Sequence, residues 1–113
     1  MHELSITRSV VAIVSEQALG QRVTRVRLEI GRLSAVLPDA IRFCFDICAA
    51  DTPVAGAELQ IVEIPGLGRC NECAADVHLD ALVGRCPQCG TASLRLIAGQ
   101  ELNIKDIEVQ PCA

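Results

Sequence analysis

The chain has no tryptophan and no tyrosine, and only two phenylalanines in 113 residues. Its core must therefore be built from Val, Ile, Leu and Ala, and half of its residues are apolar, enough for one sizeable core. Single-stranded nucleic acids are bound by stacking bases on aromatic rings, so the shortage of rings counts against that class. Basic charge is short as well. Ten Lys and Arg stand against fourteen Asp and Glu, a net charge of −4, whereas phosphate backbones are gripped by clustered cations. No apolar run is long enough to span a bilayer. The start lacks a basic stretch followed by an apolar one, so it does not read as a signal peptide. These absences point to a cytoplasmic protein with no nucleic acid and no membrane partner. In a reducing compartment seven cysteines point to metal or buried thiols rather than disulfides, and the odd count argues against a closed disulfide framework.

Residues 3–19 read as an amphipathic helix, with Ile6, Val10, Ile13 and Val14 at helical spacing. Glu3 falls in the first turn, where the helix dipole favours a negative charge, and Gly20 suits a left-handed stop. In "VTRVRLEIG", Thr24, Val26, Leu28 and Ile30 share one face; Arg25, Arg27 and Glu29 form a solvated one. That is a half-buried strand. "LPDAIRFCFDICAA" predicts a second helix, with Pro38 in its first turn and a stripe of Ile41, Cys44, Phe45 and Cys48. "AELQIVEI" and "ELNIKDIEV" read as strands whose apolar phase slips by one residue, as at a β-bulge. "SLRLI" is expected to pair with "ELNIK" across Gly99-Gln100, a Gly-X turn. The fold class is α+β: two helices packed on a small, mainly antiparallel three-stranded sheet, with an inserted zinc-ribbon lobe. The expected division is a discontinuous domain of residues 1–64 plus 93–113, interrupted by a zinc-binding domain of residues 65–92.

The interrupting segment differs in kind. Pro65, Gly66 and Gly68 read as a flexible approach to Cys70-x-x-Cys73, and Cys86-x-x-Cys89 follows after twelve residues. Each Cys-x-x-Cys turn aims two thiolates at one point, and two turns complete the tetrahedron that Zn²⁺ accepts. Gly90 and Pro87 are common in such knuckles. Apart from Leu67, Val77, Leu79, Leu82 and Val83 the lobe has almost no apolar content, and a structural zinc supplies an apparent ~10–16 kcal/mol in finger peptides. Four thiolates fill the coordination sphere, so the zinc is structural; a catalytic ion keeps one position open. The competing reading is a redox Cys-x-x-Cys pair, which two paired motifs at ribbon spacing disfavour. Cys44 and Cys48 could chelate a soft metal at i,i+4, but they fit the core stripe better.

One of only two histidines stands at position 2. The α-amine of Met1, the amide nitrogen of His2 and the His2 imidazole Nδ1 can close a five- and a six-membered chelate ring in nearly one plane. Cu²⁺ and Ni²⁺ prefer such tetragonal nitrogen fields. Glu3 can add its carboxylate or its amide. Taken alone, a histidine at this position is more often a solvated or capping residue.

"MHELSIT", "VTRVRLEIGRLSAVLPDAIRFCFDI", "GAELQIVEIP", the paired Cys-x-x-Cys and "ELNIKDIEV" together resemble the HypA/HybF family of hydrogenase maturation nickel chaperones, from end to end and in motif order. The resemblance implies His2 as the primary nickel ligand, with Met1 and Glu3 contributing, and Cys70, Cys73, Cys86 and Cys89 around a structural Zn²⁺. It implies Ni²⁺ as transported cargo, a maturation GTPase and the [NiFe]-hydrogenase large-subunit precursor as partners, and no enzyme activity. Some members serve urease, and members can dimerise. His78 is expected to be a solvated loop residue, with a fourth nickel position as its alternative; Asp39 is a further neighbour considered for His2. The main rival is a zinc-ribbon module that binds protein or nucleic acid. A zinc hydrolase needs an open metal position with an acid or base beside it, and four cysteines offer neither.

Overall fold

A computed structural model describes residues 2–111, and the Met1 and Cys112 expectations fall outside them. The element order is α1 (His2–Gln17), β1 (Arg22–Gly31), α2 (Pro38–Ala49), β2 (Glu58–Ile64), β3 (Gly66–Cys70), β4 (Asp76–Leu79), β5 (Leu94–Ala98) and β6 (Leu102–Gln110). The strands form two three-stranded sheets, ordered β2-β1-β6 and β4-β3-β5. The architecture is α+β. The chain divides into two compact units: the described residues of 1–29, 36–62 and 103–113, and residues 30–35 with 63–102.

In the first unit α1 packs on α2. The buried stripe of α1 is Thr7, Val10, Val11 and Val14, while Ile13 is 48% exposed. The apolar arc thus lies one position away from the expected one. Thr7 enters it because its hydroxyl is satisfied locally, donating to the Glu3 carbonyl at 2.6 Å. The helix ends through two left-handed residues, Leu19 at φ 52° and Gly20 at φ 83°. On α2, Pro38 opens the helix where its missing N–H costs nothing. Ile41, Phe45 and Ala49 are buried. Cys44 and Cys48 are only half-buried, so the core stripe runs through Ala49 and the two thiols flank it.

In β1, Val26, Leu28 and Ile30 are buried as expected. Thr24 is exposed and Val23 buried, so the alternation changes phase at the start of the strand. The Thr24 hydroxyl donates to the Glu108 carbonyl on β6 instead of packing inward. On the other face Arg25 pairs with Glu108, and Arg27 grips Asp106 through two nitrogens. The two pairs run in opposite sequence directions, the pattern of antiparallel neighbours. Arg27 holds the Asp106 carboxyl below its ordinary value. That pairing stabilises the fold above the usual carboxylate range and fades as pH falls through the depressed value.

The second unit departs more from expectation. Gly66 to Cys70 is not a flexible approach but β3, the central strand, antiparallel to β4 and to β5. β5 therefore does not form the expected hairpin with β6. The Glu101 carbonyl, which would pair with Ala98 to close that hairpin, is committed elsewhere. The Gly99 carbonyl accepts the Leu33 N–H at 2.7 Å, and the Glu101 carbonyl accepts the Gly31 N–H at 2.8 Å. The recorded register irregularity lies between Leu67 and Gly68 against β5. Glycine is required where these segments cross. A Cβ on Gly31 would stand 2.0 Å from the Gly99 carbonyl oxygen, and Gly99 itself sits at φ +123°. Both neighbours are backbone and cannot yield cheaply.

Gly31→Ala is expected to destabilise the protein by at least about 1–3 kcal/mol, the range for overpacking. Urea unfolding at pH 7 checks this as a lower midpoint; an unchanged midpoint contradicts the close crossing.

Candidate metal centres

Cys70 ends β3 and Cys86 lies in the loop before β5; both are 2% exposed, while Cys73 and Cys89 are exposed. The two Cys-x-x-Cys turns have matching backbones. The Cys70 N–H donates to the Ala75 carbonyl and the Ala74 N–H to the Cys70 carbonyl. In the second turn, the Cys86 N–H donates to the Thr91 carbonyl and the Gly90 N–H to the Cys86 carbonyl. Each turn closes on a left-handed residue, Ala74 at φ 62° and Gly90 at φ 76°. Glycine marks only the second of these in sequence, so the strained Ala74 position was not legible.

These turns bring the four sulfurs within 4.8 Å of one another. Cys70 and Cys89 lie 3.5 Å apart, as do Cys73 and Cys86. A tetrahedron with Zn–S near 2.3 Å places its sulfurs about 3.8 Å apart, so the donor set fits zinc with small adjustments. The N–H groups of Cys73 and Glu72 donate to the Cys70 sulfur at 3.3 and 3.4 Å. They bring its pKa down to about 7. The N–H groups of Cys89 and Gln88 lower Cys86 in the same way. At Cys89 the Thr91 N–H favours the thiolate, but the hydrogen bond with Cys70 and burial outweigh it and push the thiol up to about 12. At Cys73 the Ala75 N–H is likewise outweighed, by Cys70 and Cys86, and the thiol is raised. Each turn thus supplies one thiol that ionises readily and one that holds its proton until a metal displaces it.

Around the cluster the packing is thin. Cys70, Val77, Leu79 and Cys86 are the buried group, with Leu33, Leu94 and Leu96 half-buried against them. Leu82 and Val83 are exposed and do not join this core. The sequence reading missed Leu33, which lies far from the cysteines along the chain.

The other candidates sit as follows. The His2 side chain is 58% exposed on the first turn of α1, its Nδ1 3.5 Å from Glu3 Oε2. Glu3 is more sheltered, at 16%, and the same oxygen accepts the Leu37 N–H at 3.2 Å. That hydrogen bond is the first cause of a lowered Glu3 pKa. Asp39 pairs with Arg42 at 2.8 Å. His78 is on β4, not in a loop, and is exposed, with Nε2 3.0 Å from Asp80. Among the described residues the four cysteines are the one group of three or more His, Cys, Asp or Glu side chains gathered closely enough to hold an ion.

An α+β unit joined to a four-cysteine ribbon defines a small metal-handling protein with a structural metal module. The chain belongs to the HypA family, described as "Hydrogenase/urease nickel incorporation, metallochaperone, hypA", which matches residues 1–109. It is 57% identical over 110 residues to the hydrogenase maturation factor HypA of Nostoc punctiforme, covering 97% of this chain and 96% of that one. It is 50% identical to the HypA of Geotalea uraniireducens, covering 97% and 100%. The solution structure of the Ni metallochaperone HypA from Helicobacter pylori aligns with a TM-score of 0.66 at 25% identity, over 95% of this chain and 96% of that one. A second HypA solution structure aligns at 0.71 with 26% identity, over 97% of each. The chain is thus a nickel-incorporation metallochaperone of hydrogenase maturation, and its four cysteines fit a structural zinc site. No helix among the described residues is long and apolar enough to cross a membrane.

Stripping the metal with a strong chelator is expected to abolish amide-exchange protection at Val77 and Leu79, whose core is too small to persist alone. Protection that survives at a verified metal content of zero contradicts this. Zinc loading displaces thiol protons, so apparent affinity falls with pH and falls more steeply below about 7, where Cys70 protonates too. A competition titration from pH 8 to pH 6 measures the slope.

Proposed function

We propose that the chain carries Ni²⁺ at the N-terminal end of α1 and passes it to the [NiFe]-hydrogenase large-subunit precursor, working with a maturation GTPase. His2 is the primary ligand, with Met1 supplying its α-amine and Glu3 contributing beside it. Cys70, Cys73, Cys86 and Cys89 hold Zn²⁺ permanently. The labour divides between the units: nickel belongs to the one carrying α1 and α2, zinc to the cysteine unit. The protein is not an enzyme and acts in the cytoplasm; a homodimer is its proposed assembly.

The observation that carries the nickel assignment is the contrast between the two centres. The zinc cluster draws its sulfurs from two closed turns, two of them buried, and four thiolates complete the sphere. His2 is more than half exposed, on a helix end, where an ion can reach its ring from solvent. Amine, amide and imidazole nitrogens form the planar field that Ni²⁺ accepts and Zn²⁺ does not prefer. With one side-chain nitrogen and an incomplete sphere, the ion can be handed on. Binding displaces protons from the amine and imidazole, so acid releases the cargo.

Nickel titration of the zinc-loaded protein, followed by absorption and X-ray absorption spectroscopy, tests this. The native chain is expected to bind nickel in a nitrogen-rich site, and His2→Ala or a chain extended before Met1 is expected to lose it while keeping zinc. Equal binding by all three places the ion elsewhere and defeats the reading.

A further inference from the structure

The chain has only two phenylalanines, and the fold spends one of them on the surface. Phe45 is buried, but Phe43 is 77% exposed, and Ile47, one turn further along α2, is 65% exposed. At about 3.6 residues per turn the helix divides into three stripes. Ile41, Phe45 and Ala49 are buried. Asp39, Arg42 and Asp46 form a charged stripe, exposed along its length. The remaining stripe carries Phe43 and Ile47, with Ala40, Cys44 and Cys48 half-buried beside them, and no charge falls within it. α2 is thus apolar over more of its circumference than this chain covers. Single exposed apolar residues are ordinary, whereas a contiguous apolar patch is a mark of an interaction site.

The spacing indicates what covers it. Phe43 and Ile47 stand four residues apart, and so do Arg42 and Asp46 on the adjoining stripe. Residues four apart are neighbours on a helix surface. When a second α2 crosses the first antiparallel, about a two-fold axis near Cys44 and Phe45, each Phe43 meets the Ile47 of the other copy. The same rotation keeps both charged stripes on one side of the contact and brings each Arg42 to the Asp46 of the other copy. Asp46 has no ion pair among the described residues. Arg42 pairs with Asp39 at 2.8 Å, a carboxylate 97% exposed, and stands at the surface where a second carboxylate can reach it. The stripe is therefore its own complement in apolar contact and in charge, as an isologous interface requires.

We infer that the exposed stripe of α2 is a self-association surface: Phe43 and Ile47 of one copy pack against Ile47 and Phe43 of a second, and Arg42 pairs with Asp46 across the contact. The inference rests on the homodimer proposed above and gives it a surface. Phe43 and Ile47 together expose on the order of 250 Å² per copy, against about 800 Å² per partner in a standard stable interface. The dimer is therefore reversible and concentration-dependent rather than obligate.

Sedimentation equilibrium of the zinc-loaded, nickel-free chain, from micromolar to near-millimolar concentration, tests this. The native chain is expected to show a monomer–dimer equilibrium. Phe43→Ser and Ile47→Ser are each expected to weaken it by about tenfold or more. Asp46→Arg leaves only cations at the two paired positions and Arg42→Asp only acids, so each variant repels its own copy and dimerises less than the native chain. Mixed in equal amounts, these two are expected to associate as the native chain does, because each cation then faces an acid. Each substitution moves the net charge of −4 by two, so both chains stay acidic and bulk attraction cannot account for the pairing. A native chain that is monomeric throughout defeats this surface and the proposed homodimer together. A dimer that survives both serine variants leaves the homodimer standing and removes it from α2. A dimer weakened by serine but not restored by mixing overturns the two-fold crossing. Should a serine variant lose its helical circular dichroism, the charge-exchanged mixture decides.

Discussion

Four sulfurs must be held within 4.8 Å of one another, and the whole cysteine unit is arranged around that constraint. Two of the four residues in its buried cluster are themselves cysteines, Cys70 and Cys86. Val77 and Leu79, with three half-buried leucines, cannot offset the chain entropy of ordering residues 30–35 and 63–102 at roughly 1–2 kcal/mol each for the backbone alone. A metal that binds the folded arrangement and not the unfolded one adds its binding free energy to folding. The sheet β4-β3-β5 and the close crossings at Gly31, Gly66 and Gly99 are therefore consequences of the metal as much as of sequence propensity. The backbone donors to Cys70 and Cys86 complete the design by favouring thiolates before the ion arrives.

The first unit is stabilised differently. Its core is aliphatic: Val10, Val11 and Val14 from α1, Val23, Val26 and Leu28 from β1, Ile41 and Phe45 from α2. Such a core does not depend on a bound metal for its packing, which suits the proposal that the end of α1 carries an ion that comes and goes. Permanence and lability follow from the two donor sets. Four thiolates from preformed turns leave a zinc ion no open position, whereas the nickel site we propose at His2, with one exposed imidazole, leaves its ion a route out. The arginine face of β1 is not an open basic surface. Arg25 and Arg27 are neutralised by Glu108 and Asp106 within the same sheet.

Much of this was legible in the sequence because it depended on local spacing. Two Cys-x-x-Cys turns announce a four-thiolate site whatever the surrounding fold, since each turn is a closed local geometry. The helices and the first strand followed from periodicity, and Pro38 and Gly20 marked a start and a stop through their own backbone restrictions. The family was legible for the same reason: its motifs are short, local and ordered along the chain.

The tertiary structure decided what depends on partners distant in sequence. The strand pairing of β5 with β3 rather than β6 goes with the backbone N–H of Gly31, which claims the Glu101 carbonyl that a Gly99-Gln100 hairpin would have used. Which arc of α1 faces inward turned on the position of α2, and Ile13 yielded to Val11 and Thr7. The thiols of Cys44 and Cys48 were displaced from the core by Ala49. Glu3 reads in sequence as a dipole-favouring acid, and only the folded chain shows its carboxylate on the Leu37 N–H, 34 positions away. By itself the sequence determined which donors exist and how they are spaced. Where each donor is spent is settled by hydrogen-bond and packing competition among segments that meet only after folding.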